Sequence, residues 1–225
     1  MSKDSKIFVG MIKREFAIHM ARKGEWLAVL LLFSIIISLF PIALGTWSKD
    51  NLGFAPIIIW IAALIATALA QETLLRNDFK LGVFDQMLIN HHAISILLLA
   101  KILVHWLIYA VPIVLLTPVF ALSFGLSALS IAVISLSLIL GTLFLSLVAA
   151  IGAAITIRLA RGGIFLAMII LPLYVPVLSL GCDIGILSLH DEISKGHFAM
   201  LAAMVIISLC GVPYATAVAI RVSIE

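Results

Sequence analysis

"LSALSIAVISLSLILGTLFLSLVAAIGAAITI", residues 126 to 157, contains no charged side chain. A bilayer core of about 30 Å needs about 20 apolar residues per crossing helix, so this stretch reads as a membrane span with residues to spare. A span this long tilts, kinks or extends past the lipid. Further apolar runs lie on either side, at about 27–47, 54–70, 95–122, 164–181 and 198–220, which makes six candidate helices. Pro112 and Pro118 predict a bend in the third. Pro172 and Pro176, in "LPLYVP", predict another in the fifth, with backbone carbonyls freed for a hinge or pathway; simple packing is the plainer use of a proline in a membrane helix. The whole chain agrees: 64% of its 225 residues are hydrophobic and its mean hydropathy is +1.29, far from the roughly 45–50% apolar usage of soluble domains.

With six spans both ends lie on one side. The segments on that side hold Lys3, Lys6, Lys13, Arg14, Arg22, Lys23, Arg76, Lys80, Lys101, Arg158, Arg161 and Arg221, leaving only Lys49 and Lys195 opposite. Positive charge marks the cytoplasmic side, so both termini are expected there, or on the matrix side of an organelle, while "SKDNLG" and "CDIGILSLHDEISKGH" face outward. Residues 1–25 are too charged and too long for a cleaved signal peptide and are expected to stay on the chain. Their Phe8, Ile12, Phe16 and Met20 recur every four residues, the pattern of an amphipathic helix resting in the headgroup layer. Residues 26–221 then form the transmembrane domain, with a polar segment at 71–94 between spans two and three.

Several function classes are excluded or weakened. The chain has no GxxxxGK[ST] and so no P-loop for ATP, and it has no HExxH and no GxSxG. Cys182 and Cys210 sit near or inside apolar runs without CxxC or Cys/His spacing, so they read as free thiols, with no zinc site. A net charge of +3 does not suggest nucleic acid. Gly181 and Gly185 form a GxxxG match, a weak hint of helix pairing.

Lys101 and His105 lie four apart on one helix face with Trp106 beside them. An ionisable group within a span marks a functional candidate, here for a pathway or gate together with Pro172, Tyr174 and Pro176. The simpler alternative is a lysine that snorkels to the interface beside a tryptophan anchor. His91 and His92 are adjacent and point about 100° apart on a helix, so they cannot clamp one iron from both sides. His190 and His197 lie in an outward loop and read as solvated polar residues. No metal ligands are assigned.

The polar segment contains "LLRNDFKLGVFDQMLINHH", residues 74–92. As a helix over 80–90 it would place Leu81, Phe84 and Leu88 on one stripe, with Met87 at its edge and Asp78, Lys80 and Asp85 polar. Two aspartates fit anionic lipid poorly, so a soluble protein partner is the better match. A membrane chain that lacks a nucleotide site and carries such a knob suits an external motor.

The order of "FPIALG", "APIIIWIAAL", "LLRNDFKLGVFDQML", "LAKILVHW", "RLARGGIFLAMIILPLYVPVL" and "PYATAVAIRVSIE" resembles the CcmB, or haem exporter protein B, family over essentially the whole chain. The resemblance implies an all-α integral membrane fold: an N-terminal amphipathic helix and six transmembrane helices of an ABC-2-like, type V exporter-like permease. It implies no catalysis in this chain, with ATP and Mg bound only by a partner ATPase (CcmA-like) in a 2:2 core with a homodimer of the permease. It further implies CcmC-like and CcmD-like haem-handling membrane subunits and, indirectly, the CcmE-like chaperone of c-type cytochrome maturation in a bacterial inner membrane. Haem would be cargo or the chaperone's load, and literal haem export through the permease is the alternative function. The residues matching the family's coupling motif are Arg76, Asp78, Gly82, Phe84, Asp85, Met87 and Leu88. "INHHAIS" lacks the prolines expected after that motif.

Overall fold

In hydrocarbon each backbone polar group must be satisfied within its own segment, and this chain answers with α-helix. The computed structural model describes residues 3–44, 51–84, 94–159 and 162–224, and no strand occurs among them. The helices are α1 (Lys3–Ala21), α2 (Lys23–Leu44), α3 (Phe54–Gln71), α4 (Thr73–Lys80), α5 (Ile94–Tyr109), α6 (Val111–Ser123), α7 (Ala128–Ile155), α8 (Gly162–Ser188) and α9 (Lys195–Ile224). Six stretches are long and apolar enough to cross a membrane: α2, α3 with α4, α5 with α6, α7, α8 and α9. The chain is therefore an all-α integral membrane protein, with six helical stretches able to cross a membrane among the described residues.

The anticipated bend in the third span is a break at Ala110, between α5 and α6. Pro112 has no N–H to continue the ladder, and the chain restarts with Val114 N–H bonding the Ala110 carbonyl at 3.1 Å. The fifth span behaves differently: α8 continues through Pro172 and Pro176 as one helix, with both prolines on its exposed face. Glycine closes α6. Gly125 adopts φ +80°, and the paired bonds from Leu126 N–H to Ala121 O (3.1 Å) and from Gly125 N–H to Leu122 O (3.0 Å) complete a Schellman end. Ser127 then caps α7 by accepting from Ser130 N–H at 3.1 Å.

At the centre stands α7, packed against α3, α5, α6, α8 and α9. Lipid tails are as apolar as leucine, so helices associate through close packing and polar contacts, and small residues let them approach. Gly141, Gly152, Ala149, Ala150 and Ala153 of α7 are buried for this reason. The tightest contact surrounds Trp60 of α3, whose indole is fully buried between Gly141 of α7 and Gly181 of α8. A Cβ on Gly181 would lie 2.1 Å from the Trp60 ring, one on Gly141 would lie 2.2 Å from it, and one on Gly185 would lie 2.4 Å from Pro56. The GxxxG match at 181–185 is thus occupied within the chain, by α3. The indole N–H donates to Ser137 Oγ at 3.3 Å, and Tyr174 O–H of α8 donates to the Leu145 carbonyl of α7 at 3.2 Å.

One end of the bundle gathers α1, α4, the start of α5, the α7–α8 turn and the end of α9. Ser223 Oγ donates to the Ala154 carbonyl at 3.2 Å, and a Cβ on Gly163 would lie 2.7 Å from Glu72 Cδ. This is the end that carries most of the basic residues.

Candidate functional site

The basic end buries charge. Lys101 Nζ lies 2.8 Å from Glu15 Oε2 of α1 and 2.7 Å from Asp78 Oδ2 of α4, with side-chain exposures of 5%, 1% and 7% for the three residues. Lys101 therefore does not snorkel: Ile94 and Leu97, on the turns before it, are also buried, and two carboxylates reach it inside the protein. An ion pair so far from water holds only when geometry and partners are complete, because each charge leaves its hydration behind.

Polar contacts continue from Glu15. His19 Nε2 is 3.9 Å from Glu15 Oε2, and its Nδ1 is 3.4 Å from Tyr109 Oη, whose hydroxyl donates to Glu25 Oε2 at 3.0 Å. Arg22 Nη1 pairs with the other Glu25 oxygen at 3.2 Å. His105, one turn beyond Lys101, is fully buried; it stacks on Tyr109 with ring centroids 4.4 Å apart, and its Nε2 lies 3.1 Å from the Ala70 carbonyl. A carbonyl only accepts, so Nε2 carries the proton there. Trp106 turns aside and donates to Thr142 Oγ1 at 3.0 Å. Among the described residues no three His, Cys, Asp or Glu side chains gather as a metal site.

The N-terminal helix meets the bundle on an unexpected face. Val9, Phe16 and Met20 are exposed, whereas Met11, Glu15 and His19 are buried against α5, with Phe8 and Ile12 at the edge. The apolar stripe read from the sequence is split between the exposed and the packed side of the helix, and the buried face carries charge. Met11, Glu15 and His19 recur every four residues, a spacing visible in the sequence, but an acid and an imidazole do not score as a core stripe.

The polar segment also interrupts, at Leu81 and Gly82, the helix expected over 80–90, of which residues 85–90 lie outside the described residues. It ends α4 at Lys80, and Gly82 takes φ +66° with its N–H bonded to the Phe79 carbonyl at 3.1 Å, a conformation that favours glycine. Leu81 is thrown outward, 69% exposed, while Phe84 turns into the core and Asp78 into the ion triad. Arg76 pairs with Glu72 one turn earlier. Asp85, Met87 and Leu88 lie outside the described residues, as do His91 and His92. Of the candidate pathway residues, Lys101 and His105 fall in one cluster, Tyr174 is buried against α7, and Pro172 and Pro176 lie on the opposite, exposed face of α8. Beside that helix a groove of about 310 Å³ runs between α2, α3 and α8, walled by Leu32, Leu69, Ala167 and Ile170 and ending at Glu72 and Gly163. Cys182 and Cys210 are free.

Residues 6–223 match the family described as CcmB protein. The chain belongs to the CcmB family. It is 42% identical over 98% of its length to the heme exporter protein B of Pseudomonas aeruginosa, covering 99% of that protein. Identity to the proteins of the same name from Haemophilus influenzae and Escherichia coli is 36% and 33%, over 97% of this chain in each case and 99% and 100% of theirs. In this CcmB chain the polar end of the bundle is where α1 and α4 meet the spans.

Burial holds the His19 imidazole below its ordinary value of 6.5, with Lys101 the next cause, against the opposing pull of Glu15 and Glu25; Arg22 also lowers it. His105 and Tyr109 face it from α5. An undocked α1 regains an ordinary histidine and binds more protons, so docking is strongest above about pH 6.5 and weakens as pH falls below it. A nitroxide at the exposed Phe16 position should become more mobile between pH 7.5 and 5.5, and His19→Gln should flatten that response. A wild-type spectrum independent of pH would contradict this account of His19.

Proposed function

We propose that the chain is the membrane permease subunit of an ABC-type complex serving c-type cytochrome maturation, without catalysis of its own. In this reading a separate CcmA-like ATPase hydrolyses ATP with Mg, and the permease converts its closure into haem delivery or release of the haem-loaded CcmE-like chaperone. Two permeases pair with two ATPases, CcmC-like and CcmD-like subunits complete the assembly, and the basic end with both termini faces the cytoplasm of a bacterial inner membrane. The observation that carries this reading is a full-length family match in a chain with no P-loop, joined to a short helix at the basic end that presents Leu81 outward. Relatives named heme exporter protein B support haem as the cargo concerned.

The coupling role falls on α4 and the turn after it. Asp78 fixes α4 to Lys101 of α5, Arg76 pairs with Glu72 at the start of α4, Gly82 sets the turn, and Phe84 roots it in the core. Asp85, Met87 and Leu88 continue the motif. Motion of a partner seated on Leu81 would then reach the spans through packed side chains, a two-state transition biased by nucleotide.

Leu81→Asp is expected to weaken association with the ATPase at least tenfold while leaving the permease folded, because Leu81 contributes little to the core. Co-purification in mild detergent and cytochrome c yield check both halves. Full association and normal maturation in that variant, and in Phe84→Ala combined with Asp85→Arg, would remove the coupling assignment.

Literal haem export is the second reading, favoured by the groove beside α8, whose apolar walls and single polar end suit an amphiphile. It requires haem flux into proteoliposomes holding only permease and ATPase. Flux that is absent there, or unchanged by substitutions of Lys101 and His105, excludes those residues from a path.

A further inference from the structure

The CcmB reading makes α4 the receiver of the motor's movement, but assigns α1 no part in it. The charges at the basic end connect the two. Within this cluster Glu15 belongs to α1, Asp78 to α4 and Lys101 to α5, and both carboxylates converge on one ammonium nitrogen at 2.8 and 2.7 Å. The packing of α1 is chiefly against α5, and that of α4 against α7, α3 and α5. Lys101 is thus the point at which α1 and α4 are tied together.

We propose that Glu15, Lys101 and Asp78 are positioning residues that join the N-terminal helix to the coupling segment, so that α1 shifts with α4 when the partner ATPase changes state. This rests on the coupling reading above. The physical reason is the cost of parting charges away from water. If α4 moved by a few ångströms alone, Asp78 would leave Lys101 with a single carboxylate and would itself lose its counter-charge in a buried site. If α1 and α4 move together about Lys101, both contacts survive. The apolar contacts of α1 lack this directionality: Phe8, Met11 and Ile12 pack on Leu97 and Ala100, and such surfaces slide at little cost.

The outward face of α1 makes the movement consequential. Val9, Phe16 and Met20 are exposed where the helix leaves the bundle. A lever joined to α4 would carry that apolar face through the membrane boundary or across a neighbouring subunit with each nucleotide cycle.

The test uses the permease assembled with its ATPase in nanodiscs, with Cys182 and Cys210 replaced by serine. A nitroxide is placed either at Lys80, the exposed last residue of α4, or at Phe16, reporting α1. Spectra are compared without nucleotide and after trapping with ATP and vanadate. In the otherwise native protein both labels should change on trapping. Glu15→Gln leaves the Lys101–Asp78 pair balanced, so the resting Phe16 spectrum should stay as in the native protein. The Lys80 label should still respond, and the Phe16 response should fall at least threefold.

A Phe16 response that persists in Glu15→Gln, or is absent in the native protein while Lys80 responds, overturns the joint. A Phe16 label already loosened at rest in Glu15→Gln also overturns it, by showing the triad to be an anchor alone. A silent Lys80 label in the native complex defeats the coupling reading itself, a separate failure.

Discussion

Replacing Lys101 with methionine is expected to be far more damaging than its single position suggests. The substitution preserves length and apolar stem but removes the ammonium shared by Glu15 and Asp78, whose side chains are 1% and 7% exposed. Removing one partner of a buried ion pair leaves uncompensated charge and typically costs about 3–5 kcal/mol. For a chain of this size that corresponds to a fall in unfolding midpoint on the order of 10 °C. Thermal unfolding in detergent, followed by loss of the monodisperse peak, measures it. The informative comparison is the triple variant Glu15→Gln, Lys101→Met, Asp78→Asn, in which no charge remains to be stranded. It should recover at least half of the lost stability, since exchanging a whole buried ionic group for neutral ones is often nearly neutral. A single variant within 1 kcal/mol of the parent, or a triple variant worse than the single, would contradict the assignment of these contacts.

The second large effect is steric. In Gly181→Val the new Cβ alone would lie 2.1 Å from Trp60 Cε2, on the fused edge of the indole, and 2.2 Å from Cζ2 of its six-membered ring. The indole cannot retreat, because a Cβ on Gly141 would already lie 2.2 Å from its far edge on the α7 side. Three helices must separate or the tryptophan must leave its pocket, so the cost is expected at or above the top of the usual overpacking range of about 1–3 kcal/mol. Trp60→Leu in the same background should return part of it, with a coupling energy of about 1–3 kcal/mol in a double-mutant cycle. Gly196→Ala serves as the control. Nothing lies within 4 Å of a Cβ there, and the position is helical, so the change should be neutral or stabilising by up to about 1 kcal/mol. Equal losses at Gly181 and Gly196 would show that general helix propensity, rather than Trp60, governs the site.

The fold was legible because hydrocarbon imposes one demand on every span. Six apolar runs, five of them uncharged and the third holding Lys101, with Lys and Arg concentrated on alternate connections, translate directly into helices α2 to α9, and Pro112 locates the break at Ala110. Boundaries were softer: α8 runs on to Ser188, well past the apolar run ending near 181, because Asp183 is exposed and interrupts hydropathy without interrupting the helix. Pairing between helices was not legible. Gly181 and Gly185 look the same in sequence whether they meet a second chain or Trp60 and Pro56, and three-dimensional proximity alone distinguishes these.

The polar end was half legible. The spacing of Lys101 and His105 correctly placed them on one face, and their depth marked them for attention. Their partners lie 86 residues away at Glu15 and 35 away at Ala70, separations at which no periodicity operates. Interface snorkelling was the expected fate of Lys101 because a lysine near a span end has water within reach unless something covers it. Here α1 is the cover. Likewise Phe84 was read as surface from a helical wheel that assumed no turn, and Gly82 makes one.

The same 86-residue separation has a consequence for how the protein is made. Glu15 is synthesised long before Lys101 exists, and at about 5–20 residues per second the ribosome needs roughly 4–17 s to bridge the gap. Throughout that interval the first two spans can enter the bilayer while α1 waits at its surface, with Glu15 and His19 hydrated. The N-terminal helix therefore cannot be seated before the third span, and its arrival reports that this span has been inserted correctly. A nascent chain that stalls before residue 101 would keep an uncovered acidic face at its amino end, a mark by which quality control can tell an unfinished permease from a finished one.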